Sequence, residues 1–103
     1  MAVYLGLRRF RIRKVRMQLP DLLKAGAVVV VVRSRSEFAS GSSRGSINIP
    51  LDELPRGLKK LDRSKPVILC CASGSRSALA ERMLRQVGFE QVVNAGSWVN
   101  ISA

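Results

Sequence analysis

Val67-Ile68-Leu69-Cys70-Cys71-Ala72-Ser73-Gly74-Ser75-Arg76-Ser77 passes from an unbroken apolar run into a loop of small polar residues. With Pro66 before it, this run to Cys71 reads as a buried central strand, and strands covered on both faces favour a parallel sheet flanked by helices. Beyond the loop, Ala80, Met83, Leu84 and Val87 recur at helical spacing, and Gly88 is placed to end that helix. Upstream, Ala27 to Val32 is a second continuous, mostly β-branched run. Two buried strands with a helix between and after them predict an α/β sandwich. In such sheets ligands bind outside the carboxyl ends of the strands, which is where the small-residue loop lies.

The rest of the chain fits around these strands. Residues 7–19 alternate between basic and apolar positions with one slip after Lys14, which predicts a strand with a bulge or break. Pro20 is read as opening a short helix, with Asp21 in its first turn, Gly26 stopping it, and Leu22 and Leu23 facing inward. Ser34 and Glu37 stand at capping-box spacing. Residues 47–49 predict a short strand ended by Pro50. Leu51, Leu54, Leu58 and Leu61 keep a helical stripe, but Pro55 cannot sit in a regular helix interior. A turn followed by a helix from about Pro55 is therefore expected, and Gln91 to Val93 predicts a last short strand.

The 103 residues suit one domain, residues 1–103, with 1–15 as a basic N-terminal extension or edge strand. The hydrophobic fraction of 47% is that of a globular chain, and no apolar stretch approaches bilayer length, so no membrane role is expected. With no histidine, there is no Ser-His-Asp triad, no Cys-His pair and no His-ligated metal. Two cysteines do not make an all-cysteine zinc site, and no metal or organic cofactor is indicated. Cys70 and Cys71 are neighbours, too close for an unstrained disulfide, so a reducing, cytoplasmic setting is expected. The net charge is +11, and six positive residues fall in the first nineteen. Such a field attracts small oxyanions, acidic protein surfaces and nucleic acid, although a basic face is first of all a solvated face. Only Tyr4 and Phe10 accompany the basic run, which gives weak support for stacking on single-stranded nucleic acid.

The loop itself is suited to an anion. Successive backbone N–H groups can form a nest, the helix N-terminus adds partial positive charge, and Arg76 adds a full one. All three favour thiolate at Cys71. Gly74 lets the backbone curl, and Ser73, Ser75 and Ser77 offer hydroxyl donors. Cys70 is read as a small buried hydrophobe.

Cys71-Ala72-Ser73-Gly74-Ser75-Arg76-Ser77 resembles the rhodanese active-site signature. Val31-Val32-Arg33-Ser34, followed by Glu37-Phe38, is similar to that family's Asp-Val-Arg start. The run from Gly41 to Pro50 is similar to its Gly-His-Ile-Pro-Gly-Ala-x-Asn-Ile-Pro segment, and Gly88-Phe89 with Asn94 to Trp98 resembles its closing segment. The resemblance covers roughly residues 16 to 100. It implies a three-layer α/β sandwich with a central, mainly parallel five-stranded sheet flanked by helices. It also implies transfer of a sulfane sulfur through a cysteine persulfide, from a small sulfur donor to a thiol or cyanide acceptor. Carried over, Cys71 is the nucleophile, the backbone N–H groups of Ala72 to Ser77 cradle the anion, and Arg76 binds the donor's oxyanion. Arg33 and Glu37 are expected to form a structural pair, Asn48 to hold a turn and Trp98 to pack. Val31 stands where the family has an acid and Ser42 where it has a loop histidine. Neither departure touches the nucleophile; both bear on packing and hydrogen bonding beneath the site.

Two other readings compete. Counted from Cys70, five residues precede Arg76, the spacing of cysteine phosphatases and arsenate reductases; counted from Cys71 there are four. The shorter loop suits sulfur, and the Ser-Gly-x-Arg-Ser run aligns with Cys71 in the rhodanese register. Rhodanese-like domains also serve as binding modules without activity, often with the cysteine lost. In that case the basic N-terminal arm would dock an acidic partner.

Overall fold

The computed structural model of the chain describes residues 17–42, 45–71 and 75–97. Four parallel strands form one sheet in the order β2-β1-β3-β4, with β1 at Val28–Val31, β2 at Ile47–Asn48, β3 at Val67–Cys71 and β4 at Val92–Ser97. β1 and β3 run in register from Val28 opposite Val67 to Val31 opposite Cys70. Both are central strands, which is why they are apolar without interruption: each residue is covered by one layer or the other. The expected five-stranded sheet is thus four-stranded among the described residues.

Side chains alternate across the sheet and make two cores. On one face Val30, Leu69, Cys71 and Val92 pack with Leu54 and Leu84 from the helical segments and with Phe89 from the chain between residue 86 and β4. On the other, Val29, Val31, Ile68 and Cys70 pack with Leu19 and Ala95, flanked by Leu22 and Phe38. Full burial of each large apolar side chain contributes about 1.5–3 kcal/mol relative to exposure. These two cores, one per face, are the physical content of the three layers.

α1, residues 17–24, corrects two expectations. Residues 17–19 are helical and not part of a strand, and Pro20 lies within the helix and not at its start. The remainder of the expected 7–19 strand and the whole 1–15 extension lie outside the described residues. The alternation at Met17 and Leu19 was outweighed by the i, i+3 pair Leu19 and Leu22, which is the stripe that reaches the core; Met17 is 76% exposed. Leu23, expected inward, is 48% exposed, because a helix turns about 100° between Leu22 and its neighbour.

α2, Arg35–Ser40, starts with the expected capping box: the Glu37 N–H donates to the Ser34 Oγ, and the Ser34 N–H donates to the Glu37 carboxylate. The Leu51-to-Leu61 stripe resolves as a 3-10 turn at Leu51–Glu53, α3 at Leu54–Gly57 and a second 3-10 turn at Leu58–Lys60. Pro55 falls in the first turn of α3, where its missing N–H costs little. An ion pair between Arg35 and Glu53 ties α2 to the first of these turns. α4, Ser75–Gln86, buries Ala80 and Leu84, while Val87 falls one residue past the end of the helix and is exposed. Its end is closed by N–H groups of Gly88 on the Arg85 carbonyl and of Phe89 on the Leu84 carbonyl. β4 runs longer than the expected Gln91-to-Val93 strand. Its pairing with β3 slips by one residue, so Leu69 faces Asn94 while Cys71 faces Ser97. The extra residue is accommodated where Gly96 takes a φ of 73°, a conformation that favours glycine.

Candidate active site

Cys71 is the last residue of β3, at the carboxyl end of a central parallel strand, and α4 begins four residues later at Ser75. A buried strand followed by a short loop into a helix puts the cysteine beside that helix's N-terminal turn. Ala72, Ser73 and Gly74, the heart of the expected anion cradle, lie outside the described residues. Ser75 is the first residue of α4 and is exposed. Ser77 is fully buried, and its Oγ lies 3.5 Å from the Cys71 Sγ.

The two cysteines are both buried and unbridged, yet they point to opposite faces of the sheet. Cys71 belongs to the core shared with α4; Cys70 belongs to the other core, with its Sγ 4.0 Å from the Val30 carbonyl oxygen. Burial pushes the Cys70 thiol up to about 12, helped by the adjacent Cys71 and opposed by Arg33. Cys70 is therefore a neutral thiol in the core, as expected of it. Strand alternation turns it away from the face that carries Ser77, which weighs against counting the loop from Cys70.

Arg76 is held by a carboxylate from another helix. Its Nη1 and Nη2 donate to the two oxygens of Glu37 at 2.9 and 3.0 Å, a two-armed pair between α4 and α2. The same carboxylate receives the Ser34 hydroxyl at 2.9 Å, and Arg33 approaches it at 3.7 Å. The Arg76 bonds, then those from Ser34, hold the Glu37 carboxyl down at about 2. Reciprocally, Glu37 raises the affinity of Arg76 for its proton. The expected Arg33–Glu37 pair is thus present as the longer contact of a cluster centred on the Glu37 carboxylate. Arg33 also donates to the Gly41 carbonyl at 3.0 Å.

Asn48 behaves as expected of a turn-holding residue: its amide donates to the carbonyls of Val31 and Arg33 at 3.0 and 2.9 Å, pinning the chain where β1 ends. Val31, in place of the family's acid, is fully buried beside Cys70 and pairs with it in the ladder. Sequence reasoning missed Asn94, whose Oδ1 accepts the Ser77 hydroxyl at 2.6 Å and the Gly96 N–H at 2.8 Å. Its one signal in the sequence was its place in the Asn94-to-Trp98 segment, just past the expected Gln91-to-Val93 strand. Trp98 lies outside the described residues.

The fold thus brings a buried cysteine at a strand's carboxyl end beside a serine of the facing helix, whose first turn also carries a carboxylate-held arginine. The family model of the rhodanese-like domain matches residues 16–103. The chain belongs to the rhodanese-like domain family. It is 35% identical over 75 residues to the thiosulfate sulfurtransferase GlpE of Stutzerimonas stutzeri, covering 73% of this chain and 69% of that one. Among solved structures it resembles the rhodanese-related protein of Thermoplasma volcanium, at 38% identity and a TM-score of 0.69, covering 84% and 88% of the two chains. The human single-domain sulfurtransferase TSTD1 is similar at 29% identity and a TM-score of 0.66, covering 82% of this chain and 88% of that one. Other curated relatives are longer: the chain spans 36% of the putative sulfur carrier protein YrkF of Bacillus subtilis and 54% of that organism's YqhL. Among the described residues no helix is long and apolar enough to cross a membrane.

Proposed function

We propose that this rhodanese-like domain is a sulfurtransferase whose Cys71 carries the sulfur as a persulfide. The observation that supports this most is the placement of Cys71: it ends β3 on the face of α4, 3.5 Å from the Ser77 hydroxyl, while Cys70 is turned into the opposite core. The Cys71 thiolate attacks the outer sulfur of thiosulfate or of a persulfide donor. A new S–S bond forms, the donor's old bond breaks, and sulfite or the donor thiolate leaves with the electron pair. Cyanide or an acceptor thiolate then takes the outer sulfur as thiocyanate or a new persulfide, and Cys71 returns as thiolate.

In this reading Arg76 supplies positive charge for the donor's oxyanion, and its pairing with Glu37 fixes where that charge lies. The N–H groups from Ala72 to Ser77 are proposed to hold the anionic persulfide. A reducing compartment follows from a mechanism that needs a free thiolate.

Intact mass after incubation with thiosulfate tests the assignment. Wild type and Cys70→Ser should each gain one sulfur that cyanide removes, and Cys71→Ser should gain none. Sulfur uptake by Cys71→Ser would sink the assignment. Uptake by no form with any donor would favour the binding-module reading.

A further inference from the structure

Cys71, Ser77 and Asn94 come from β3, α4 and β4 and form a chain of three side chains. The Cys71 Sγ lies 3.5 Å from the Ser77 Oγ, and that oxygen lies 2.6 Å from the Asn94 Oδ1. The Gly96 N–H reaches the same Asn94 atom at 2.8 Å. A backbone N–H can only donate, so the atom it faces is the amide oxygen and not the amide nitrogen. That oxygen has no proton, so in the 2.6 Å contact the serine must be the donor. A serine has one hydroxyl proton. While that proton lies on Asn94, Ser77 meets Cys71 only with lone pairs and can only accept from a thiol.

The geometry behind this arrangement is specific. The one-residue slip between β3 and β4, with Gly96 at a φ of 73°, turns the Gly96 N–H back onto Asn94. The amide is thereby locked with its oxygen toward α4. Among the described residues, Arg76 of α4, with its Glu37 partner from α2, bears on Cys71, and Arg33 after β1 acts on the neighbouring Cys70.

We propose that Asn94 is a positioning residue for the sulfur chemistry: it holds the Ser77 proton away from Cys71, so that Ser77 accepts from the resting thiol, and it yields that proton to the sulfur when the sulfur becomes an anion. The inference rests on the reading of Cys71 as the sulfur carrier. When the thiol loses its proton to water, the Ser77 hydroxyl turns about its own bond and donates to the thiolate, and later to the persulfide. No covalent bond changes in that turn. The exchanged bond is a charge-assisted one, stronger than the neutral bond given up. Asn94 thus sets the cost of forming the anion, and Ser77 delivers the stabilisation.

The test is the ultraviolet thiolate absorbance of the folded protein against pH, with Cys71→Ser as the blank, in wild type, Asn94→Ala, Ser77→Ala and the double variant. Asn94→Ala frees the serine proton, so the midpoint moves to lower pH and the thiolate fraction below the midpoint rises ~3-fold. Ser77→Ala moves the midpoint to higher pH. On the Ser77→Ala background, Asn94→Ala should add nothing. An equal shift from Asn94→Ala in both backgrounds, or none in either, overturns the proposal. Should Asn94→Ala not fold, Asn94→Asp retains an acceptor for both donors, and its effect must shrink when Ser77 is alanine. Sulfur uptake by intact mass is run on the same proteins. Uptake without coupling between the two positions defeats the relay alone; coupling without uptake defeats the sulfur-carrier reading alone.

Discussion

Arg76 and Glu37, thirty-nine positions apart in the chain, meet in a two-armed ion pair that joins the first turn of α4 to α2. The carboxylate is itself seated by the capping box of α2 through Ser34. One helix cap therefore positions the arginine of the neighbouring helix, immediately after the loop that follows Cys71.

Glu37→Gln should loosen that arginine without removing the cap's hydroxyl. Glutamine can accept from Arg76, but without charge and without two equivalent oxygens. Thiosulfate uptake at Cys71 is expected to slow roughly tenfold, since a misplaced charge costs orientation and not chemistry. Stopped incubations followed by intact mass give the rate. Arg76→Lys should behave similarly, because an ammonium lacks the planar fork that matches the carboxylate.

The acid limb of stability should carry the same signature. The Glu37 carboxyl titrates at about 2 in the folded chain against an ordinary 4.5, chiefly because of Arg76 and then Ser34. Its folded value is depressed, so its stabilisation is complete above the unfolded value and is lost as pH falls from 4.5 toward 2. Urea midpoints of wild type and Glu37→Gln should differ at about pH 6 and converge by about pH 2. Asp62, lowered by its bonds from Ser64, follows the same sign in both proteins and cancels from the comparison.

Cys70 should show itself on the alkaline side. Its thiol is pushed up to about 12 from 9.0 by burial, so its contribution is complete below the unfolded value and is lost as pH rises from 9.0 toward 12. Cys70→Ala should cost ~1 kcal/mol near neutral pH through the small void it leaves. It should also flatten the decline of the urea midpoint across that alkaline window and leave sulfur uptake unchanged. A steep loss of uptake in Cys70→Ala would contradict its assignment to the opposite core.

Gly57 predicts a packing effect away from the site. A Cβ at this position would lie 2.6 Å from the Ile49 Cγ2, where α3 crosses the chain leaving β2. Gly57→Ala is therefore expected to destabilise by about 1–3 kcal/mol through overpacking. In an Ile49→Ala background, which removes that methyl, the same substitution should cost much less. Thermal unfolding of the four proteins in the cycle gives the coupling.

Much of this molecule was legible in residue order. The runs read as strands at Ala27 to Val32 and Pro66 to Cys71 predict central parallel strands, because a strand covered on both faces needs no polar phase, and the structure places β1 and β3 within them. The Ser34–Glu37 cap and the Ala80, Leu84 stripe are local, and local spacing is what a sequence displays directly. The loop from Cys71 to Ser77 could be matched to its family because its residues are contiguous. Where two periodicities competed, as at residues 17–23, the reading failed: Met17 and Leu23 obey no stripe, and only contact with the sheet selects Leu19 and Leu22.

The tertiary structure decided what depends on facing and on distance between elements. Glu37 had a visible local partner in Arg33, yet its shorter bonds go to Arg76, because folding α4 against the sheet brings a second guanidinium to the same oxygens. Asn94 lay just past the expected Gln91-to-Val93 strand, and only the longer β4 with its slip sets it against Ser77. Residue order alone carried the two central strands and the pair of cysteines that ends the second of them. The tertiary structure decided which thiol faces the helix and which groups surround it, because hydrogen bonds reach about 3 Å and no spacing along the chain records which distant residues come that close.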